Sequence, residues 1–100
     1  MAISDVRQKG SWIEVYDSTG KRISSMSGSS RELVGVGNDF FVTVAGAWIE
    51  THDENCRRIA AMASSNRVVR GASGTTFSVK SGSWLETYDR KCNRVNTRMA

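Results

Sequence analysis

The chain has 100 residues, 39% hydrophobic and 24% charged, with a formal net charge of +4. That is the size and composition of one globular domain, with enough apolar residues for a core and too many for a disordered tail. Apolar runs such as "FFVTVAGAWI" are interrupted by Thr43 and Gly46, and "MAISDVRQKG" lacks a signal peptide's apolar centre, so no membrane span and a cytoplasmic location are expected.

The opening stretch "ISDVRQ" is a weak strand, with Asp5, Arg7 and Lys9 at alternate positions. "GSWIEVYD" at 10–17 then alternates apolar and polar residues over a β-rich run, as a half-buried strand does. Asp17-Ser18-Thr19-Gly20 is a turn, with Asp17 capping it and Gly20 free to take a left-handed conformation. Lys21 to Met26 returns as a strand, and the serine-rich "SGSSRE" leads to Leu33-Val34-Gly35-Val36. Phe40 to Val44 opens the next such series, followed by the small-Gly pair Ala45-Gly46 of a tight hairpin.

The phrase then recurs as "GAWIETHD" at 46–53 and "GSWLETYD" at 82–89. At a spacing of 36, Trp12, Trp48 and Trp84 align, as do Glu14, Glu50 and Glu86, then Asp17, Asp53 and Asp89, then Arg22, Arg58 and Arg94. A period in this range marks units that bury their apolar faces only against one another. The chain therefore reads as a single all-β domain, 1–100, of three units of about four short antiparallel strands, at approximately 1–36, 37–72 and 73–100. No segment has helical periodicity and there is no proline. Three such units, each with a tryptophan, resemble the β-prism of the monocot mannose-binding lectins, which implies pseudo-threefold packing about a shared centre. The resemblance is one of architecture: the lectins' sugar motif is not matched by "GAWIETHDENCRRI", so it carries over no binding residue. The alternative architecture is three propeller blades completed by dimerisation. The weak first strand and the short last unit suggest open edges, hence a homo-oligomer.

Cys56 and Cys92 occupy like places 36 residues apart, so symmetry should hold them beyond the roughly 7 Å that a disulfide tolerates, and free thiols are expected. They stand where the first turn has Gly20, and a Cβ is uncomfortable at positive φ. Those turns are therefore expected to differ in type, with Asn55 taking the left-handed residue's part in the second.

The candidate contact residues are the strand rows Trp12, Glu14, Tyr16; Trp48, Glu50, His52; and Trp84, Glu86, Tyr88. An indole plate beside a carboxylate suits a sugar ring, whose C–H face stacks while its hydroxyls reach the carboxylate. The competing expectation is that the indoles meet at the pseudo-threefold axis as core, with each Glu paired to Arg22, Arg58 or Arg94. His52 stands where the other rows have Tyr and reads as a packing residue. With Cys56 and Cys92 it makes no closed zinc set. Polar columns in triplicate argue against an enzyme, whose groups take different roles, and neither cofactor nor metal is expected. Units 1–36 and 37–72 carry net charges of +1 and 0 and residues 73–100 carry +3, so Arg22, Arg58, Arg90, Lys91, Arg94 and Arg98 form a candidate nucleic-acid surface. The leading expectation is a non-catalytic binding or assembly module acting through repeated β faces or open edges, by self-association or with a protein partner. Carbohydrate binding is the first alternative and nucleic-acid binding the second.

Overall fold

Alternating apolar and polar residues, punctuated by glycine and aspartate turns, fold into strands alone. The computed structural model describes residues 3–65 and 67–99, so Asn66 in the connection "ASSNR" lies outside the described residues. The strands are β1 (Asp5–Lys9), β2 (Trp12–Tyr16), β3 (Arg22–Ser27), β4 (Glu32–Val36), β5 (Phe40–Ala45), β6 (Trp48–Asp53), β7 (Arg58–Ala63), β8 (Arg67–Ser73), β9 (Thr76–Ser81), β10 (Trp84–Asp89) and β11 (Arg94–Met99). They form three similar antiparallel sheets in the orders β1-β2-β3, β4-β5-β6-β7 and β8-β9-β10-β11. Among the described residues no helix is long and apolar enough to cross a membrane.

Two turns set each sheet's register. The hairpins β1-β2, β5-β6 and β9-β10 close through two-residue loops opened by Gly10, Gly46 and Gly82, at φ of 56°, 58° and 59°. A positive φ at the first central residue alone is the type II′ pattern, whose twist matches the strands it joins. The second turn follows the aspartate column: Gly20, Cys56 and Cys92 donate their N–H to the carbonyls of Asp17, Asp53 and Asp89 at 3.0–3.1 Å. The aspartate Oδ1 then accepts two more backbone N–H groups, from residues 19 and 21, 55 and 57, and 91 and 93.

Here the expected difference between turns fails. Cys56 and Cys92 themselves take the left-handed conformation, at φ of 62° and 61°, beside Gly20 at 82°. Asn55 does not. A non-glycine residue in this region costs about 1–2 kcal/mol, and it persists because the aspartate pins the loop on both sides. Both thiols are free, as expected, and half-buried. Burial pushes both thiols above their ordinary range, and the Cys56 sulfur lies 3.2 Å from the Ser24 hydroxyl of the sheet before it.

The sheets are stacked face to face, and the stack is open. Between the first and second lie Ile3, Val6, Ile13, Val15 and Phe41. Between the second and third lie Phe40, Val42, Ile49, Phe77, Val79 and Tyr88. The middle sheet is covered on both faces, so Phe40, Phe41, Val42 and Thr43 are all fully buried in succession. Polar bonds stitch each seam at like positions. Ser24 Oγ donates to the Glu54 carbonyl at 2.5 Å across the first, and Thr51 Oγ1 to the Arg90 carbonyl at 2.6 Å across the second. The Ile3 N–H reaches the Asn38 carbonyl at 2.7 Å, and the Asn38 N–H reaches the Gly74 carbonyl at 2.8 Å. Arg90 also pairs with Asp39 across the second seam.

The two outward faces carry polar residues at several positions where the inner ones are apolar, although Val68 and Leu85 remain on that of the third sheet and Trp12 on that of the first. The cross-strand rows Val42-Thr51-Ala60 and Val44-Ile49-Met62 of the middle sheet correspond to Ser78-Thr87-Asn96 and Lys80-Leu85-Arg98 in the third. At the other end, Asp5-Tyr16 and Arg7-Glu14 of the first sheet stand where the second has Phe41-His52 and Thr43-Glu50. Arg7 pairs with Asp5 at 2.7 Å and lies 5.4 Å from the centre of the Tyr16 ring.

The seam residues should dominate stability. Phe41→Ala is expected to cost about 3–5 kcal/mol, whereas Trp48→Ala, which removes a half-exposed ring, should cost no more than about 1 kcal/mol. Urea unfolding of the two variants checks the contrast, and equal losses would contradict this assignment of the core.

Candidate functional site

The alternation of β2, β6 and β10 puts the Trp, Glu and Tyr or His of each row on one face. In the second and third sheets this face turns toward the preceding sheet, and in the first it turns outward. The row is covered progressively along its length. The far end is core: His52 is buried, stacked on Phe41 at 5.0 Å, and Tyr88 is stacked on Phe77 at 5.6 Å. The middle is nearly buried, with Glu50 and Glu86 at 7% and 8% exposure. The near end is open, because Trp12, Trp48 and Trp84 are 55%, 54% and 48% exposed. The expected indole core about an axis therefore does not form. Isoleucine, valine, phenylalanine and Tyr88 fill the seams, Trp48 and Trp84 stand at their rim, and Trp12 stands on the outward face of the first sheet.

Each carboxylate is fully engaged. Glu14 accepts the Tyr16 hydroxyl on Oε1 at 2.7 Å and Arg22 Nη1 on Oε2 at 3.1 Å. Glu86 repeats this with Tyr88 at 3.0 Å and Arg94 at 3.4 Å. Glu50 has His52 in place of a tyrosine, and its Oε1 accepts from Arg31 Nε at 3.3 Å while Oε2 faces Arg58 Nη1 at 3.5 Å. A second cation completes the first and third sites as well: Lys9 lies 3.6 Å from Glu14 and Arg67 lies 3.9 Å from Glu86. Arg67 stands back because the Tyr88 hydroxyl already holds the near oxygen. The Tyr16 hydroxyl and then Arg22 hold the Glu14 carboxyl below the usual carboxylate range. Burial, with the adjacent Glu86, pushes the Tyr88 phenol up.

The pairing of Glu14, Glu50 and Glu86 with Arg22, Arg58 and Arg94 is as the sequence predicts. Lys9, Arg31 and Arg67 escaped that reading, although Arg31 and Arg67 are themselves 36 residues apart at the ends of the two serine-rich connections. Beside the middle site is a pocket of about 400 Å³ lined by Trp48, Glu50, Arg58, Ile59, Ala60 and Ala61. Small residues on the neighbouring strand leave that space open: Ala61 and Ala63 lie opposite Glu50 and Trp48, and Ser25 and Ser27 opposite Glu14 and Trp12. Of the basic residues assigned to a nucleic-acid surface, Arg90 is taken by Asp39, and Arg22, Arg58 and Arg94 by the carboxylates. Lys91 sits exposed in a turn, and Arg98 on the outer face of the third sheet. The six are not brought together. Among the described residues no group of three or more His, Cys, Asp or Glu side chains is placed to hold a metal ion. Neither a protein-family model nor a curated protein matches the chain.

His52 gives the middle site a pH dependence. Its Nε2 lies 3.1 Å from Thr43 Oγ1, and Nδ1 is buried without a partner. Burial is the largest influence and lowers its pKa from the ordinary value of about 6.5. The charges of Arg31 and Arg58 add to this, and Glu50 and Asp53 oppose it. The folded state thus takes up the proton less readily than the unfolded chain. This contribution to stability is complete above about pH 6.5 and is lost as pH falls below it. His52→Tyr, which installs the residue of the other two rows, should abolish this part of the pH dependence. Urea midpoints of the two proteins at pH 7.5 and 5.0 should diverge on the acid side only.

Proposed function

We propose that the protein is a non-catalytic binding module that engages carbohydrate through three similarly built sites, each an indole plate beside an arginine held by a glutamate. The observation that carries this reading is the exposure of Trp12, Trp48 and Trp84, none of which belongs to either core between the sheets. Three large rings left half in water contribute little to the fold, and a flat apolar plate rimmed by hydrogen-bonding groups suits the C–H face of a sugar ring. The pocket of about 400 Å³ beside Trp48 is of ligand size. Three weak sites on one rigid stack also gain from multivalency along a chain of sugars. Polar groups in triplicate, each site built alike, remain the argument against catalysis.

We read the sheets as copies of one 36-residue unit arranged as blades of an open arc, in preference to a prism. Two separate cores between successive sheets support this, where a prism would share one core among all three. Assembly through the stack's ends has less support, because apolar positions of the inner faces become Ser78, Lys80, Asn96 and Arg98 at one end and Asp5 and Arg7 at the other. Polar outer faces are how repeat stacks terminate in water.

Retention on gels containing immobilised polysaccharides tests the binding reading. The native protein should be retarded on at least one, and the variant carrying Trp12→Ala, Trp48→Ala and Trp84→Ala should migrate freely with an unchanged circular dichroism spectrum. Undiminished retardation of that folded variant would exclude the indoles as the contact.

A further inference from the structure

We infer that the three sites select acidic sugars, with the carboxylate of a uronate held by Arg22, Arg58 or Arg94 while its ring stacks on the neighbouring indole. This rests on the carbohydrate-binding reading above and adds the ligand's charge.

Both oxygens of each glutamate already accept a hydrogen bond: Glu14 from Tyr16 and Arg22, Glu50 from Arg31 and Arg58, Glu86 from Tyr88 and Arg94. The glutamates therefore hold the arginines in place, and Glu50 also lines the pocket beside Trp48. What faces water is donors. The guanidinium side chains of Arg22, Arg58 and Arg94 are 59%, 64% and 60% exposed, and each spends one N–H on its glutamate. Arginine has five N–H donors and no acceptor, and its fork matches a carboxylate. The indole adds an N–H and likewise accepts nothing.

Charge points the same way. Every site sets two cations against one carboxylate: Lys9 and Arg22 on Glu14, Arg31 and Arg58 on Glu50, Arg67 and Arg94 on Glu86. Each is left with one positive charge, three in all along the stack. A neutral sugar presents hydroxyls that both donate and accept, and it leaves the positive charge of each site unpaired. A uronate presents a group that only accepts. The indole lies two residues, about 7 Å, along the strand from the glutamate. The arginine reaches in from the adjoining strand opposite the row's third residue, Tyr16, His52 or Tyr88. At the middle site Trp48 and Arg58 line one pocket. That geometry suits one ring with a carboxylate at its edge. A nucleic-acid strand would ask for a continuous basic track, and the basic residues here are divided among separate glutamates.

Tryptophan fluorescence titration with a galacturonate trisaccharide, the matching galactose trisaccharide and a single-stranded thymidine hexanucleotide decides the matter. The acidic trisaccharide should quench or shift the emission saturably, bind at least about tenfold tighter than the neutral one, and weaken as salt is raised. The variant Arg22→Gln, Arg58→Gln, Arg94→Gln should lose about tenfold or more toward the acidic ligand. Lys80→Gln, Lys91→Gln, Arg98→Gln, which removes as much charge elsewhere, should bind as the native protein does. Equal affinity for the two trisaccharides overturns the inference and leaves the carbohydrate reading standing. Tighter binding of the hexanucleotide, or no response to any of the three, overturns both. The comparison among ligands is made on the native protein, so it holds even if the arginine variant does not fold.

Discussion

The structure depends on one constraint: the middle sheet must bury both of its faces. Neither outer sheet has more than one apolar face, and none of the three could hold its strands against water alone. Phe41 projects one way into the first seam and Phe40 the other way into the second, from adjacent positions of β5. A shift of one residue in that strand's pairing would exchange the two seams. The glycine hairpin after β5 and the aspartate turn after β6 guard against that slip. Local turn chemistry and long-range packing are thus two halves of one specification.

Much of this is visible in the amino-acid order. Strand alternation, the hairpin glycines and the aspartate caps are local features, and each behaves in the fold as its chemistry demands. Two matters were not visible. The left-handed cysteines go against a local preference, and they hold because Asp53 and Asp89 grip the loop from both sides and the thiol has a seam to enter. The choice between a shared centre and a stack was equally hidden. A 36-residue period says that units pack on one another, but the rotation relating them lies in side-chain volumes spread over many contacts.

The site was half visible. The columns of Trp, Glu and Arg stand out by spacing, and the glutamate–arginine pairs form as that spacing suggests. Whether an indole is core or rim depends on how far the neighbouring sheet extends over it, and no strand pattern carries that length. The second cation lay outside the repeated phrase, in β1 for Lys9 and at the ends of the serine-rich stretches for Arg31 and Arg67. In "SGSSRE" the arginine follows four small residues and is easily taken for solvated surface, yet Arg31, at the entrance to β4, reaches Glu50. His52 shows the cost of a single exchange in the row, since losing a tyrosine hydroxyl brings Arg31 onto the vacated oxygen and leaves an imidazole in a dry place.

The polar ends have a bearing on how such a chain changes length. Lys80, Arg98, Asp5 and Arg7 put charge on the outward faces of the first and third sheets, so a further sheet laid on either would meet charge where the inner seams have hydrocarbon. A duplicate of the middle unit, inserted between its neighbours, would find an apolar surface on each side. Growth and shrinkage of this protein would therefore run through its centre, with the two ends kept and only the interior copied or deleted.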